Sequence, residues 1–116
     1  MTGFFCWGPA RPTIPTLKSL LVAQTPRGTD SCGMAYLDNE DIMVLKDLSK
    51  PADFVQKIPD SSWAKLASSH YGLLHARNKT AGTINDESAH PVHQWGWIVT
   101  HNGTIRNDDD LFYHYK

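Results

Sequence analysis

The sequence predicts an α+β layered domain. Three observations lead there: an apolar, aromatic segment at the very N-terminus, short apolar runs separated by turn residues through the middle, and helix-like segments between those runs. Met1 to Trp7 suits a short buried strand, ended by Gly8-Pro9. Prolines at 9, 12 and 15 lead to a helix beginning near Thr13 to Pro15, with Leu17, Leu20 and Leu21 on one face and Pro26 as its stop. Gly33 to Leu37 and Ile42 to Lys46 are expected as strands joined by the turn Asp38-Asn39-Glu40-Asp41. Pro51 to Val55 and Ser61 to Ala67 are expected helices, the second capped by Asp60 or Ser61. Leu73 to Arg77 is a further strand. The polar stretch from Asn78 to Gln94 is long for a compact domain and points to a functional loop. Trp95 to Thr100 then form a strand, Asn102-Gly103 a turn, and Asn107 the cap of an acid-rich helix.

At 116 residues the chain is one domain or part of one, and its 41% hydrophobic and 20% charged residues are ordinary for a globular protein. A formal charge of -1 argues against the broad basic surface of a nucleic-acid binder. No apolar run, the longest being Leu20 to Ala23, approaches a membrane span. The start MTGFFCWGPARP lacks the basic-then-apolar pattern of a secretory signal, so a cytoplasmic protein is expected. Cys6 and Cys32 do not form a CxxC pair and are read as free thiols.

Five segments carry chemistry. They are Met1-Thr2-Gly3-Phe4-Phe5, Arg27-Gly28-Thr29-Asp30-Ser31-Cys32-Gly33, His75-Ala76-Arg77-Asn78-Lys79-Thr80-Ala81-Gly82, Ser88-Ala89-His90-Pro91 and His101-Asn102-Gly103-Thr104-Ile105. In this order they resemble the class II (Ntn-type) glutamine amidotransferases, whose domain opens Cys-Gly-Ile. That domain continues through Arg-Gly-x-Asp-Ser-x-Gly, His-x-Arg-x-x-Thr-x-Gly, Asn-Ala-His-Pro and His-Asn-Gly-x-Ile. The interval from Thr2 to Arg27 equals that from Arg77 to Asn102, and both are similar to the family's spacing without insertions. Asn-Gly alone is an ordinary turn, and Arg77 alone a solvated strand-end charge. Five motifs in order carry the resemblance, which spans nearly the whole chain.

The resemblance implies an Ntn-hydrolase-like α-β-β-α sandwich, with residues 1–116 as the N-terminal portion of the glutaminase domain. It implies hydrolysis of the glutamine side-chain amide to glutamate and ammonia, the ammonia passing to a synthetase-type domain or subunit, with no cofactor. The first residue of the mature chain attacks the amide while its own α-amine serves as base. By resemblance that nucleophile is Thr2, exposed once Met1 is removed. Asn102 and Gly103 form the oxyanion hole. Arg77 clamps the α-carboxylate of glutamine with its planar fork, and Thr80 and His90 line the same pocket. Arg27 and Asp30 are read as a pair that fixes their loop.

Three departures from the family pattern stand out. Thr2 occupies the position of the nucleophilic cysteine, and Asn78 follows Arg77 where an aromatic residue is common. The resemblance also ends at Lys116, ahead of the family's later strands and of the aspartate that holds the α-amine of glutamine. The sandwich is therefore expected to be incomplete, with a missing C-terminal segment or a partner covering its edge. Asp108 to Asp110 lie too early to replace that aspartate. Cys32 falls where the family has a small residue and is read as a packed core thiol; Cys6 could become N-terminal only through unusual cleavage. The alternative function is a catalytically inactive relative that binds a ligand or serves assembly. A zinc site built from the six histidines is set aside, because His75, His90 and His101 fall inside the motifs and the others lack ligand spacing.

Overall fold

A computed structural model describes residues 1–78 and 88–115. The chain begins with strand β1 (Thr2–Phe5), helix α1 (Ile14–Val22) and a 3-10 turn (Thr25–Arg27). Strands β2 (Ser31–Asp38) and β3 (Asp41–Asp47) follow, then helices α2 (Pro51–Lys57) and α3 (Asp60–Ser68) and strand β4 (Tyr71–Arg77). Short strands β5 (Val92–Gln94) and β6 (Trp97–Val99) and helix α4 (Asp108–Tyr115) complete it. The result is mixed α+β with antiparallel sheets: β1-β4-β2-β3 form one, β5-β6 the other.

The main sheet owes its packing to alternation along β2 and β4. Cys32, Met34 and Tyr36 of β2, with Leu74 and Ala76 of β4, join Leu17 and Leu21 of α1, Phe54 of α2 and Trp63 and Leu66 of α3 in one core. Helices α1 to α3 therefore cover one face of the sheet. The intervening residues Gly33, Ala35, Leu73, His75 and Arg77 alternate onto the other face. There an apolar cavity of about 420 Å³ is lined by Gly3, Phe5, Ala35, Leu37 and Leu73, together with Ile98 of β6.

Local signals account for most boundaries. Thr13 caps α1, its hydroxyl accepting from the Thr16 amide at 3.3 Å, and Pro15 sits in the first turn. Asn39 and Glu40 turn β2 into β3 with φ of 49° and 72°, the paired positive values of a two-residue hairpin turn. Cys6 and Cys32 are free, and burial together with the Asp47 charge pushes the Cys32 thiol up to about 12. Cys32 is a core thiol as the sequence predicts.

Six expectations need correction. The N-terminal strand is not buried, because β1 is an edge strand with Phe5 47% and Trp7 83% exposed. Val92–Gln94, expected in the polar loop, form β5 by pairing with β6. Leu20 is 39% exposed, because α1 buries the i, i+4 pair Leu17 and Leu21 and leaves position 20 at the edge of that stripe. Helix α3 begins after Pro59 with no side-chain cap. The Asp60 carboxylate instead pairs with Lys18 of α1 at 3.0 Å. Trp95 lies outside the strand: with Gly96 it forms the β5-β6 turn, at φ of 51° and 79°. Finally, the chain around Asn102-Gly103 is irregular and pairs no strands.

The core makes a sharp stability prediction. Trp63 is fully buried and meets Phe54 edge-on at 6.3 Å, so Trp63→Ala should lower the unfolding free energy by about 3–5 kcal/mol. Trp95 is 90% exposed, so Trp95→Ala should stay within about 0.5 kcal/mol of the unmodified chain. Urea unfolding of both variants checks the contrast, and equal losses would contradict this core.

Candidate active site

The site grows from the C-terminal end of β4. Arg77 closes that strand opposite Ser31, and His75 lies opposite Gly33 in the same ladder. Two glycines let other segments cross this backbone at contact distance. A Cβ on Gly28 would lie 2.3 Å from the Arg77 backbone, so only glycine lets the Arg27-Gly28 loop pass over β4. A Cβ on Gly33 would lie 2.0 Å from the His90 carbonyl oxygen, so only glycine seats the His90-Pro91 segment on the sheet. The first loop is fastened by the Asp30 amide donating to the Arg77 carbonyl at 3.0 Å and the Thr29 amide donating to Asn78 Oδ1 at 2.9 Å.

These approaches bring Arg27, Arg77, Asn78, His101, Asn102 and Gly103 around one cavity of about 310 Å³. Arg27, Asn102 and Gly103 are exposed and Arg77 is half-buried, so the cavity opens to solvent. The Arg77 guanidinium donates to the Ser88 carbonyl, which holds its side chain against the segment leading to His90. His75 Nε2 lies 2.7 Å from Asn102 Oδ1, and the His101 amide donates to His90 Nδ1 at 3.0 Å. The rings of His75 and His90 are 4.8 Å apart.

Arg27 and Arg77 give this one small cavity positive charge, a chemistry suited to an anionic group such as a carboxylate. They also bias their neighbours toward neutrality. Burial, then the charges of His75, Arg77, His101 and Lys46, pushes His90 down to about 4. Burial likewise lowers His75, against the bond to Asn102, which favours its charged form. The α-amine of Met1 is lowered by burial and by the Arg27 charge.

Of the six residues expected at the site, Arg77, Asn102 and Gly103 line the same cavity. His90 adjoins it through the His101 amide and the His75 ring. Thr2 is not among the lining residues. It pairs with Leu74 in the ladder, and its hydroxyl accepts from Gln24 Nε2 at 3.0 Å. Thr80 lies outside the described residues. Sequence reasoning missed Arg27 as a cavity residue, although its place in the first basic motif was a signal. The His75–Asn102 and Gln24–Thr2 contacts had none, because they depend on register. Among the described residues, no group of three or more His, Cys, Asp or Glu is placed to hold a metal ion. No helix among them is long and apolar enough to cross a membrane.

The depressed histidines have a consequence for stability. His90 is neutral in the folded chain down to about 4, whereas in the unfolded chain it takes up a proton near pH 6.5. Between those values the unfolded state binds more protons, so stability falls as pH is lowered through this window. The melting temperature should therefore drop between pH 6.5 and 4.5, and His90→Gln should flatten that drop. A variant as acid-sensitive as the unmodified chain would contradict the neutral assignment.

No family model matches the chain. Over 84 residues it is 34% identical to a glutamine–fructose-6-phosphate aminotransferase (isomerizing) from Listeria monocytogenes, covering 70% of this chain and 13% of that protein. The corresponding enzyme of Photorhabdus laumondii is 38% identical over 87 residues, 73% of this chain and 14% of its own. An amidophosphoribosyltransferase from Mycobacterium leprae is 27% identical over 113 residues, 93% of this chain and 20% of its own. The chain thus spans only between 13% and 20% of the length of these relatives. Both enzymes are class II glutamine amidotransferases, the family that the motifs resemble, and they are homologues of this chain at low identity over partial coverage.

Proposed function

We propose that residues 1–116 form the N-terminal portion of a glutaminase domain with an Ntn-type layered fold, acting on the side-chain amide of glutamine. The observation that carries this reading is the grouping of Arg27, Arg77, Asn102 and Gly103 around a cavity of about 310 Å³. The homologues supply the second support, since their enzymes draw on glutamine as the amide donor.

In the proposed reaction, removal of Met1 leaves Thr2 with a free α-amine. That amine takes the hydroxyl proton as the oxygen attacks the side-chain carbonyl carbon of glutamine. The resulting oxyanion accepts from the Asn102 NH2 and the Gly103 amide, while Arg77, with Arg27 beside it, holds the α-carboxylate. Collapse breaks the C–N bond and expels ammonia, which carries the proton back from the amine. Water then cleaves the γ-glutamyl ester to glutamate and regenerates Thr2. An α-amine has an ordinary pKa of about 7.7–8.0, close enough to neutral pH for part of it to be in the proton-accepting form. On this reading Thr80 and His90 also contribute to glutamine binding. A synthetase-type partner or a further segment would cover the open side, exclude water and receive the ammonia, in a cytoplasmic setting.

One observation favours a second reading. The Thr2 hydroxyl accepts from Gln24 and is not part of the cavity lining. On that reading the chain is an inactive relative that holds glutamine or a related amino acid without turning it over.

Intact-mass spectrometry before and after incubation with an electrophilic glutamine analogue separates the two. Loss of Met1 plus one adduct on Thr2 is the expected result for the hydrolase. In active protein, Asn102→Ala should lower kcat by ~10²–10³-fold, as loss of one oxyanion donor does. Retained Met1 with no adduct, in correctly folded protein, would exclude the hydrolase and leave the binding reading.

A further inference from the structure

We infer that His75 is a positioning residue for the Asn102 carboxamide, holding its oxygen so that its NH2 is the end turned to the cavity. The inference rests on the reading of Asn102 as an oxyanion donor. An asparagine amide has two ends of nearly equal size and opposite polarity, and only the nitrogen end can donate to a developing oxyanion. Something must therefore choose the end. Asn102 lies in an irregular, exposed segment. His75 sits on β4, 1% exposed, paired with Gly33 and faced by the His90 ring at 4.8 Å. Its Nε2 lies 2.7 Å from Asn102 Oδ1.

The tautomer follows from satisfaction of polar groups. Nδ1 of His75 is buried and has no partner among the described residues. A neutral imidazole carries one N–H. On Nε2 it donates to Asn102 Oδ1. On Nδ1 it would be a buried donor without an acceptor, and Nε2 would draw the Asn102 NH2 toward itself. The carboxamide oxygen would then face the cavity and repel an oxyanion. Burial keeps the ring in its neutral form at neutral pH. The donated bond also polarises the amide, which strengthens the hydrogen bonds its NH2 donates on the other side. No part of this contact is visible in the motifs, where His75 and Asn102 belong to different segments.

Turnover and ring spectroscopy test the inference together. His75→Leu should lower kcat for glutamine hydrolysis by ~10²-fold and leave KM within about twofold, because the carboxylate clamp is untouched. His75→Gln, whose side-chain NH2 can donate to Oδ1, should restore most of the rate. On an Asn102→Ala background His75→Leu should cost nothing further, since both changes remove one interaction. Additive losses, or a His75→Leu enzyme as fast as the unmodified one while Asn102→Ala is slow, would overturn the inference. If the unmodified chain turns over no glutamine, or if Asn102→Ala leaves the rate unchanged, the proposed function fails instead. His75 is then decided by nitrogen NMR of the unmodified protein, which needs neither turnover nor a variant that folds. A ring protonated at Nε2 and bonded to Asn102 supports the assignment, and an Nδ1–H tautomer overturns it.

Discussion

The antiparallel pairing of β2 with β4 sets the core and the site at once, because side chains alternate faces along both strands. The register Ser31 to Arg77 through Tyr36 to Gly72 sends Cys32, Met34, Leu74 and Ala76 under the helices. The same register sends Gly33, His75 and Arg77 to the opposite face. A slip of one residue would exchange the two sets, placing a guanidinium and an imidazole against Leu17 and Phe54. The cost of burying the Arg77 charge there, and of taking His75 from its Asn102 partner, is what holds the register, so the helical core fixes the geometry of a site it does not touch.

On the open face the site is assembled by close approach more than by regular structure. Gly28 and Gly33 have no side chains to hold other segments away, so one loop crosses Arg77 and another lies on β2. These contacts gather two arginines from distant parts of the sequence beside three histidines. Burial, helped by the Arg77 charge, keeps His75 and His90 neutral, and neutral rings can serve as directional hydrogen-bond partners. On the proposed function, positive charge then remains where the carboxylate would be bound, and uncharged donors where negative charge would appear only during reaction. The open cavity is screened by water, so covering it would strengthen each of these interactions.

Much of the fold was legible because it rests on local chemistry. Thr13 and Pro15 announce α1, Pro51 opens α2, and Asn39-Glu40 mark the β2-β3 hairpin. The errors occur where a tertiary partner overrides a local preference. Asp60 would serve as a cap, yet its carboxylate is engaged by Lys18. Trp95 has high strand propensity but sits beside Gly96, and the turn takes both residues. For the candidate site, motif order and spacing singled out Arg77, Asn102 and Gly103, and these three meet at one cavity. The partners that orient them were not. Whether His75 reaches Asn102, or Gln24 reaches Thr2, depends on strand register and on loop paths that no residue pattern encodes.

Recognition of glutamine by this cavity, with Arg77 beneath the carboxylate and Asn102 and Gly103 at the side-chain amide, is what the proposed function requires. Its most direct test is an NMR titration of the isotopically labelled chain with L-glutamine, using D-glutamine as the control. Saturable shifts at the Arg77 side chain, the Asn102 NH2 and the Gly103 amide are the predicted result, with the core around Trp63 unmoved and the D-isomer weaker. Shifts confined to the apolar cavity near Leu73 and Ile98, or no saturable shift at any of the three, would contradict it.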